Sequence, residues 1–413
     1  MTPAPVAVED QLGRVLASTP LLGTETVAVA DAAGRTLRAP VRAAVDMPVF
    51  DNSAMDGFAV RFADVMDAAE AAAVELTVVA DLPAGTADDP PLNPGQAARI
   101  MTGSPVPADA DAIVPFEDTA GGLADSLGTV TVQRAPRAVG AHIRRAGEDV
   151  RTGDEVLPAG IVLGAWQLGA AAAAGVAEVT VARRPRVAVI STGSELVAPG
   201  QPLQRGQIPE SNSVLLAGLA TAAGAEVVHR ASVDDEGGQL RDTLAEVLES
   251  VDAVIFSGGV SAGAYEVVKI ELAGAMTFTK VAMQPGKPQG FGVADSGALM
   301  FGLPGNPVSA AVSFEVFVRP ALWAMQGRQA LQRPVLRLPA STAWRTPPGR
   351  RQFLPAAIDR SDPARWTAGP ATAGGSGSHR AGGLGLAEAY IVVPAEVDAV
   401  AAGDQVDVWM LEG

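Results

Sequence analysis

The sequence contains no cysteine. That excludes disulfides, a thiolate nucleophile, Cys-ligated zinc and iron–sulfur clusters. Histidine is scarce as well: His142, His229 and His379 are the three, far apart along the chain. A His-based zinc site or a Ser-His-Asp triad is therefore disfavoured, and any metal is expected to be a hard cation held by carboxylates. No uninterrupted apolar stretch reaches the ~18 residues of a membrane span. The alanine-rich stretch 168–176 is shorter and is broken by glycine. The opening Met1-Thr2-Pro3-Ala4-Pro5 has neither a basic n-region nor an apolar h-region, so no secretory signal is expected and a cytoplasmic location is. The formal net charge of −16 argues against nucleic acid or an anionic membrane as partner. It leaves room for a local basic pocket serving a small phosphorylated ligand.

Lysine is the last scarcity. Lys269, Lys280 and Lys287 are all there is, and they share one window. Around them lie three Gly/Pro-punctuated loops: Ser257-Gly258-Gly259-Val260-Ser261-Ala262-Gly263, Gln284-Pro285-Gly286-Lys287-Pro288, and Gly302-Leu303-Pro304-Gly305-Asn306-Pro307-Val308-Ser309. The first and third follow the apolar runs 253–256 and 298–301. A glycine-rich loop after a buried strand exposes backbone N–H groups where the next helix begins, which seats an anion.

The 413 residues suffice for about two to four domains. Residues 6–17 read as an amphipathic helix. Over 20–150, β-rich runs at 26–29, 74–79, 112–116 and 129–132 alternate with Pro/Gly/Asp turns, a β-rich lobe with long loops. A helix over 163–174 and a strand over 177–181 follow. From Arg186 the pattern becomes regular β–α alternation. Strands are expected at 187–190, 226–231, 253–256, 278–283 and 298–301, with helices at 213–223, 240–249, 266–272 and 309–325. This predicts an α/β fold with a parallel, doubly wound sheet whose ligands lie at the C-terminal strand ends. Beyond Gly327 come strands at 335–338, 352–354, 390–393 and 406–410, a small C-terminal β domain, with the Gly/Ser-rich 373–383 as a mobile loop.

Ser191-Thr192-Gly193-Ser194-Glu195 follows the first α/β strand, where doubly wound folds place a phosphate loop. Neither it nor 257–263 fits G-x-G-x-x-G or the Walker A pattern, which disfavours dinucleotide oxidoreductases and P-loop NTPases. Glu195, Asp234 and Glu266 fall at or just after strand ends. They read either as helix-capping, solvated acids or together as a Mg²⁺ site. The run Pro48-Val49-Phe50-Asp51-Asn52-Ser53-Ala54-Met55-Asp56-Gly57-Phe58 reads either as an Asx-rich turn or, with Met and Phe among its acids, as a ligand-facing loop. Thr102-Gly103 reads as an ordinary turn or as a pair of donors.

The segments DNSAMDGFAV (51–60), RIMTGSPVP (99–107), SGGVS (257–261) with Lys269, PGKP (285–288) and GLPGNPVS (302–309), in this order, resemble the molybdopterin molybdenumtransferase (MoeA) family. The resemblance implies a multidomain α/β subunit. An elongated linking domain would cover 1–45 and 140–182, a β-rich lobe 46–139, a doubly wound molybdopterin-binding α/β domain 183–327, and a C-terminal β-barrel-like domain 328–413. It implies a homodimer, with the cleft between the α/β domain of one subunit and the N-terminal part of the other. It also implies a reaction: adenylylated molybdopterin and molybdate, with a divalent cation, yield the molybdenum cofactor and AMP.

Carried over residue by residue, the catalytic positions are Asp56, Thr102, Asp149, Glu195, Asp234 and Lys287. The pterin- and phosphate-binding positions are Ser191, Thr192, Gly193, Ser257, Gly258, Gly259, Ser261, Lys269, Pro304, Gly305, Asn306 and Pro307. Asp56, Asp234 and Glu266 would hold Mg²⁺. The chain departs from the family pattern at three places. Ser194 stands where S-T-G-D-E has Asp, Ala264 and Glu266 stand at the acids of G-D-Y-D-x-V-K, and Gln284 replaces the first Lys of K-P-G-K-P.

The implied chemistry asks little covalent work of the protein. Phosphates and molybdate must be held and charge-neutralised, by carboxylate-bound Mg²⁺, Lys269, Lys287, Thr102 and strand-end N–H groups. The pterin dithiolene supplies sulfur, so a cysteine-free enzyme is acceptable. Two alternatives stand beside this reading. One is the molybdopterin adenylyltransferase, the upstream donor of the same intermediate, whose G-G-T-G contrasts with Gly258-Gly259-Val260-Ser261 here. The other is a non-catalytic scaffold.

Overall fold

The computed structural model describes residues 4–123, 127–234, 238–260, 266–372 and 381–411. Three of the segments read above thus lie partly or wholly outside the described residues: 261–265 with Ser261, Ala264 and Tyr265; 235–237 after Asp234; and 373–380 of the Gly/Ser-rich stretch, which continues as a 3₁₀ turn over Ala381–Leu386.

The part of the chain up to Ala182 is organised by outgoing and returning segments. Thr24–Ala28 pairs antiparallel with Glu178–Ala182, Val41–Arg42 with Glu155–Leu157, and Asn52–Ser53 with Ile143–Arg144. Two-residue ladders are weak by themselves, and the packing of Leu37, Val41, Leu163 and Val181 supports them. Everything between Ser53 and Ile143 is an excursion from this stem. It carries a five-stranded sheet in the order Ala112–Pro115, Gly57–Val60, Gln96–Ile100, Val74–Leu82 and Gly128–Val132. Phe58, Val60, Leu76, Val114 and Val130 fill one of its faces. The run expected at 26–29 belongs to the stem, at Thr24–Ala28, and not to this lobe.

The α/β unit comprises β1 (Arg186–Thr192), α1 (Asn212–Ala222), β2 (Glu226–Val233), α2 (Gly238–Val247), β3 (Ala253–Ser257), α3 (Val267–Glu271), β4 (Met276–Lys280), β5 (Pro288–Val293), β6 (Leu299–Leu303) and α4 (Pro307–Ser313). The sheet order is β2-β1-β3-β6-β5-β4. Strands β2, β1, β3 and β6 run parallel. Burial on both faces follows from alternation along β1. Val187 and Val189 enter one core with Leu216, Phe301 and Phe314, while Ala188 and Ile190 enter the other with Leu240, Leu244 and Phe256. The sheet departs from the all-parallel expectation at one edge, where β5 runs antiparallel between β6 and β4.

The helix expected at 309–325 is interrupted. After α4 comes a π turn, Phe314–Val318, and then α5 (Arg319–Met325). Glu315 and Arg319 are each 2% exposed and pair at 2.7 Å, with Arg333 3.0 Å from the same carboxylate. Pro307–Met325 is long and apolar enough to cross a membrane, but its most apolar window is 94% buried within the protein. It is a core helix.

In the C-terminal part, Arg351–Asp359, Ala389–Val393, Gln405–Met410 and Val335–Pro339 form one sheet, with Thr367–Pro370 beside the first. Leu354, Ile391 and Val408 lie at its centre. The short strand Met283–Gln284 joins it in parallel with Arg351–Gln352. The loop that follows, with Lys287, is therefore fastened between the α/β unit and the C-terminal sheet.

Candidate active site

Three strand ends build one pocket. Beyond β1, the Gly193 N–H donates to Val233 O at 3.1 Å and ties the first loop to the end of β2. Beyond β3, Gly258 and Gly259 have φ of +95° and +67°. A Cβ on Gly258 would stand 2.6 Å from Thr192 O, and one on Gly259 would stand 2.9 Å from Val268 N. Only glycine fits there, because both the dihedral and the backbone approach exclude a side chain. The Gly258 N–H donates to Leu303 O at 3.0 Å, which joins the second loop to the third.

The pocket has a volume of about 650 Å³. The first loop contributes Thr192, Gly193 and Glu195 to its lining, and the second Ser257, Gly258 and Gly259. Pro304, Gly305, Asn306 and Pro307 line it from the third loop, at the start of α4. Glu266, just ahead of α3, and the half-buried Lys287 close it from other sides. Among the described lining residues Lys287 is the cation, beside Glu195, Glu210 and Glu266.

The remaining expected positions stand outside this lining. Ser191 lies beneath it, its hydroxyl donating to Glu210 Oε1 at 2.8 Å. Asp234 follows β2, next to the Val233 carbonyl that Gly193 meets. Lys269 belongs to α3, and its backbone N–H donates to Gly259 O at 2.9 Å.

Asp56 and Thr102 sit together in the N-terminal lobe. Asp56 Oδ1 accepts the Thr102 backbone N–H at 2.6 Å and the Thr102 hydroxyl at 2.7 Å. The backbone bond first, then the hydroxyl, hold this exposed carboxyl below the usual aspartate range. Asp149 lines a second concavity, about 420 Å³, with Asp46, Glu148 and Arg144. There Asp46 repeats the Asp56 arrangement, accepting the Thr152 N–H and hydroxyl at 2.8 Å each. Among the described residues no group of three or more His, Asp or Glu side chains could hold a metal ion. Asp56, Asp234 and Glu266 are thus not gathered into one cation site within the chain.

Two pocket residues escaped the sequence reading. The Asn212 amide, at the first position of α1, donates to Ser257 Oγ at 2.7 Å and to Gly305 O at 2.6 Å, stapling the second loop to the third. Glu210, 6% exposed, accepts the Ser213 N–H and hydroxyl as well as Ser191. The signal was there: Pro209-Glu210-Ser211-Asn212 before an apolar helix has the composition of a helix start. Thr192 Oγ1 and Asn212 Oδ1 are buried in this lining without a hydrogen-bond partner among the described residues. Just ahead of the C-terminal strand Arg351–Asp359, Arg350 donates to Gln284 Oε1 at 2.9 Å, so a guanidinium stands beside the position where the sequence lost a lysine.

Fold and site define a multidomain α/β protein with a glycine-lined pocket at the strand ends of its α/β unit. Family models match along nearly the whole chain: "MoeA N-terminal region (domain I and II)" over 6–175, "Probable molybdopterin binding domain" over 188–324, and "MoeA C-terminal region (domain IV)" over 337–411. The chain is 46% identical to molybdopterin molybdenumtransferase 2 of Mycobacterium tuberculosis, over 94% of its own length and 95% of the relative's. It is 34% identical to molybdopterin molybdenumtransferase 1 of the same organism, over 98% and 99%. A crystal structure of the molybdopterin biosynthesis protein MoeA from Pyrococcus horikoshii OT3 superposes with a TM-score of 0.84 at 27% identity, over 98% of this chain and 100% of that one. This chain belongs to the MoeA family of molybdopterin molybdenumtransferases.

Proposed function

We propose that this chain is the transferase of molybdenum cofactor biosynthesis that inserts molybdate into adenylylated molybdopterin and releases AMP. The observation that carries the reading is the convergence of three strand-end loops and Lys287 on one pocket inside the segment that matches the molybdopterin-binding model. The protein's part is positioning. Lys287 and the N–H groups of Gly259 and Gly305 hold phosphate and molybdate oxygens. Thr192 Oγ1 and Asn212 Oδ1 offer acceptors to the N–H edge of a pterin. Glu210 keeps α1 and the end of β1 in register.

The donor set fits magnesium. Glu195 and Glu266 present carboxylate oxygens at the pocket, and Mg²⁺ is ordinarily bound by one or two carboxylates together with phosphate oxygens and water. Bound there, Mg²⁺ supplies charge neutralisation of the phosphates and activation of water.

Asp56, Thr102 and Asp149 join this chemistry from a second copy in a homodimer. The support is their place outside the pocket lining of their own chain, together with Val49 and Phe50, 61% and 47% exposed on the same loop. The assignment of 1–45 and 140–182 to a linking domain, 46–139 to the lobe, 183–327 to the pterin domain and 328–413 to the C-terminal domain belongs to the same proposal. So do a cytoplasmic location and an adenylyltransferase as upstream donor.

The deciding experiment compares two mixtures. Molybdopterin with ATP and Mg²⁺ gives no pyrophosphate, whereas adenylylated molybdopterin with molybdate gives AMP, stimulated by molybdate and stopped by chelating the divalent cation. Pyrophosphate release in the first mixture would overturn the reading in favour of an adenylyltransferase, and AMP in neither would favour a scaffold.

A further inference from the structure

We infer that Gln289 and Ser313 are positioning residues that shape the Lys287 loop so that its ammonium faces the pocket. The inference rests on the anion-binding role proposed above for Lys287. A lysine stem is long and carries about 2 kcal/mol of rotamer entropy, so what the fold can preorganise is the backbone that launches it. That backbone is held on both sides of Lys287. The Val281 N–H donates to Lys287 O at 2.8 Å. Gln289, on β5 two residues after the lysine, donates its side-chain amide to Gly286 O at 2.6 Å. The same nitrogen donates to Ser313 Oγ at 2.6 Å.

Burial makes these bonds consequential. Gln289 is 2% exposed, Ser313 is fully buried and Gly286 is buried. A buried carbonyl left without a donor costs its full desolvation penalty. Glutamine is a residue type mostly found exposed. Its place inside this strand is accounted for by the two acceptors it meets.

Ser313 ends α4, one helical turn beyond Ser309, which lines the pocket. The loop therefore leans on the helix that begins at Pro307. The approach is close: a Cβ on Gly286, whose φ is +101°, would stand 2.9 Å from Ser313 Oγ. Gln289 thus locks the lysine loop to the helix of the third loop. Among the described residues Lys287 takes part in no ion pair, so its charge remains for a ligand.

The test titrates inorganic pyrophosphate into the full-length chain by calorimetry. Compared are wild type, Lys287→Ala, Gln289→Met, Ser313→Ala and the double variant Gln289→Met/Lys287→Ala. Gln289→Met keeps shape and removes the donor. It is expected to weaken binding ~10-fold, the size of one lost hydrogen bond, while adding nothing in the Lys287→Ala background. Wild-type affinity in Gln289→Met, or the same loss with and without the lysine, would overturn the inference, because the amide would then act on the fold and not through the lysine. Should Gln289→Met not fold, Ser313→Ala carries the same comparison with Lys287→Ala. A wild-type chain that takes up no pyrophosphate, or a Lys287→Ala chain that binds it as well as wild type, overturns the anion-binding reading itself and the inference with it.

Discussion

Asp56 shows what one side chain can carry and what a sequence hides. Both it and Thr102 lie in segments singled out from the sequence, but nothing in a string of letters says that two residues 46 positions apart share a hydrogen bond. Because Thr102 supplies a backbone and a hydroxyl donor, the Asp56 carboxyl is acidified. A carboxyl whose folded pKa lies below its unfolded value favours the folded state fully above the unfolded value, and that contribution is lost as pH falls through the folded pKa. Thr102→Val removes the hydroxyl donor and leaves the N–H. The Asp56 carboxyl should then titrate at higher pH, as side-chain carbon NMR would report, and the acid limb of turnover should move upward with it. Asp56→Asn keeps an acceptor for Thr102 and deletes only the charge. Turnover should fall ~100-fold or more with an unchanged circular dichroism spectrum; near-normal turnover would leave Asp56 a structural turn residue. Glu210 and Asn212 were legible in principle as a helix start but not as pocket lining, since their role depends on which loops α1 abuts.

At the scale of elements, two features can be broken selectively. Gly258→Ala pushes a Cβ to 2.6 Å from Thr192 O at a φ of +95°. The second loop must move, so pyrophosphate binding should fail while the remote C-terminal sheet keeps its amide-exchange protection. In the π turn, Glu315→Gln leaves Arg319 and Arg333 without their anion in a buried setting. Breaking such a pair costs about 3–5 kcal/mol, and denaturant unfolding of the variant against wild type measures it. The Arg319 guanidinium is already held below the ordinary arginine range by burial, which outweighs the pull of Glu315.

The β–α alternation was readable because the central strands β1, β3 and β6 carry apolar runs, at 187–190, 253–256 and 298–301, separated by segments long enough for a helix. Strand β5 was not. Pro288, Gly290 and Gly292 are residues that strands avoid. Their reason is tertiary: side chains at 290 and 292 would collide with Phe278 on β4 and with the Ala275 carbonyl just ahead of that strand. The helix break at Phe314–Val318 did have a signal in the sequence: Pro320 has no N–H to donate and its ring opposes the carbonyl four residues back, at Val316.

At the scale of the whole molecule, a lone chain keeps Lys287 in the pocket lining and Asp56 outside it. Mixing Asp56→Asn with Lys287→Ala subunits should therefore regenerate one intact site per heterodimer and restore part of the turnover. Heterodimers that form and stay inactive would place the site within a single chain.

The stem has one more consequence. Where Asn52–Ser53 pairs with Ile143–Arg144, the polypeptide leaves and returns side by side, with Ser53 directly opposite Ile143. Antiparallel partners at that spacing can be joined by a two-residue turn. The lobe is topologically a detour, and a shortened gene that bridges Ser53 to Ile143 with Asn-Gly bypasses it. The truncated product should still fold, associate and capture pyrophosphate, yet never release AMP. It would be a loading dock without its crane, separating substrate capture from metal delivery by surgery at a single crossing point.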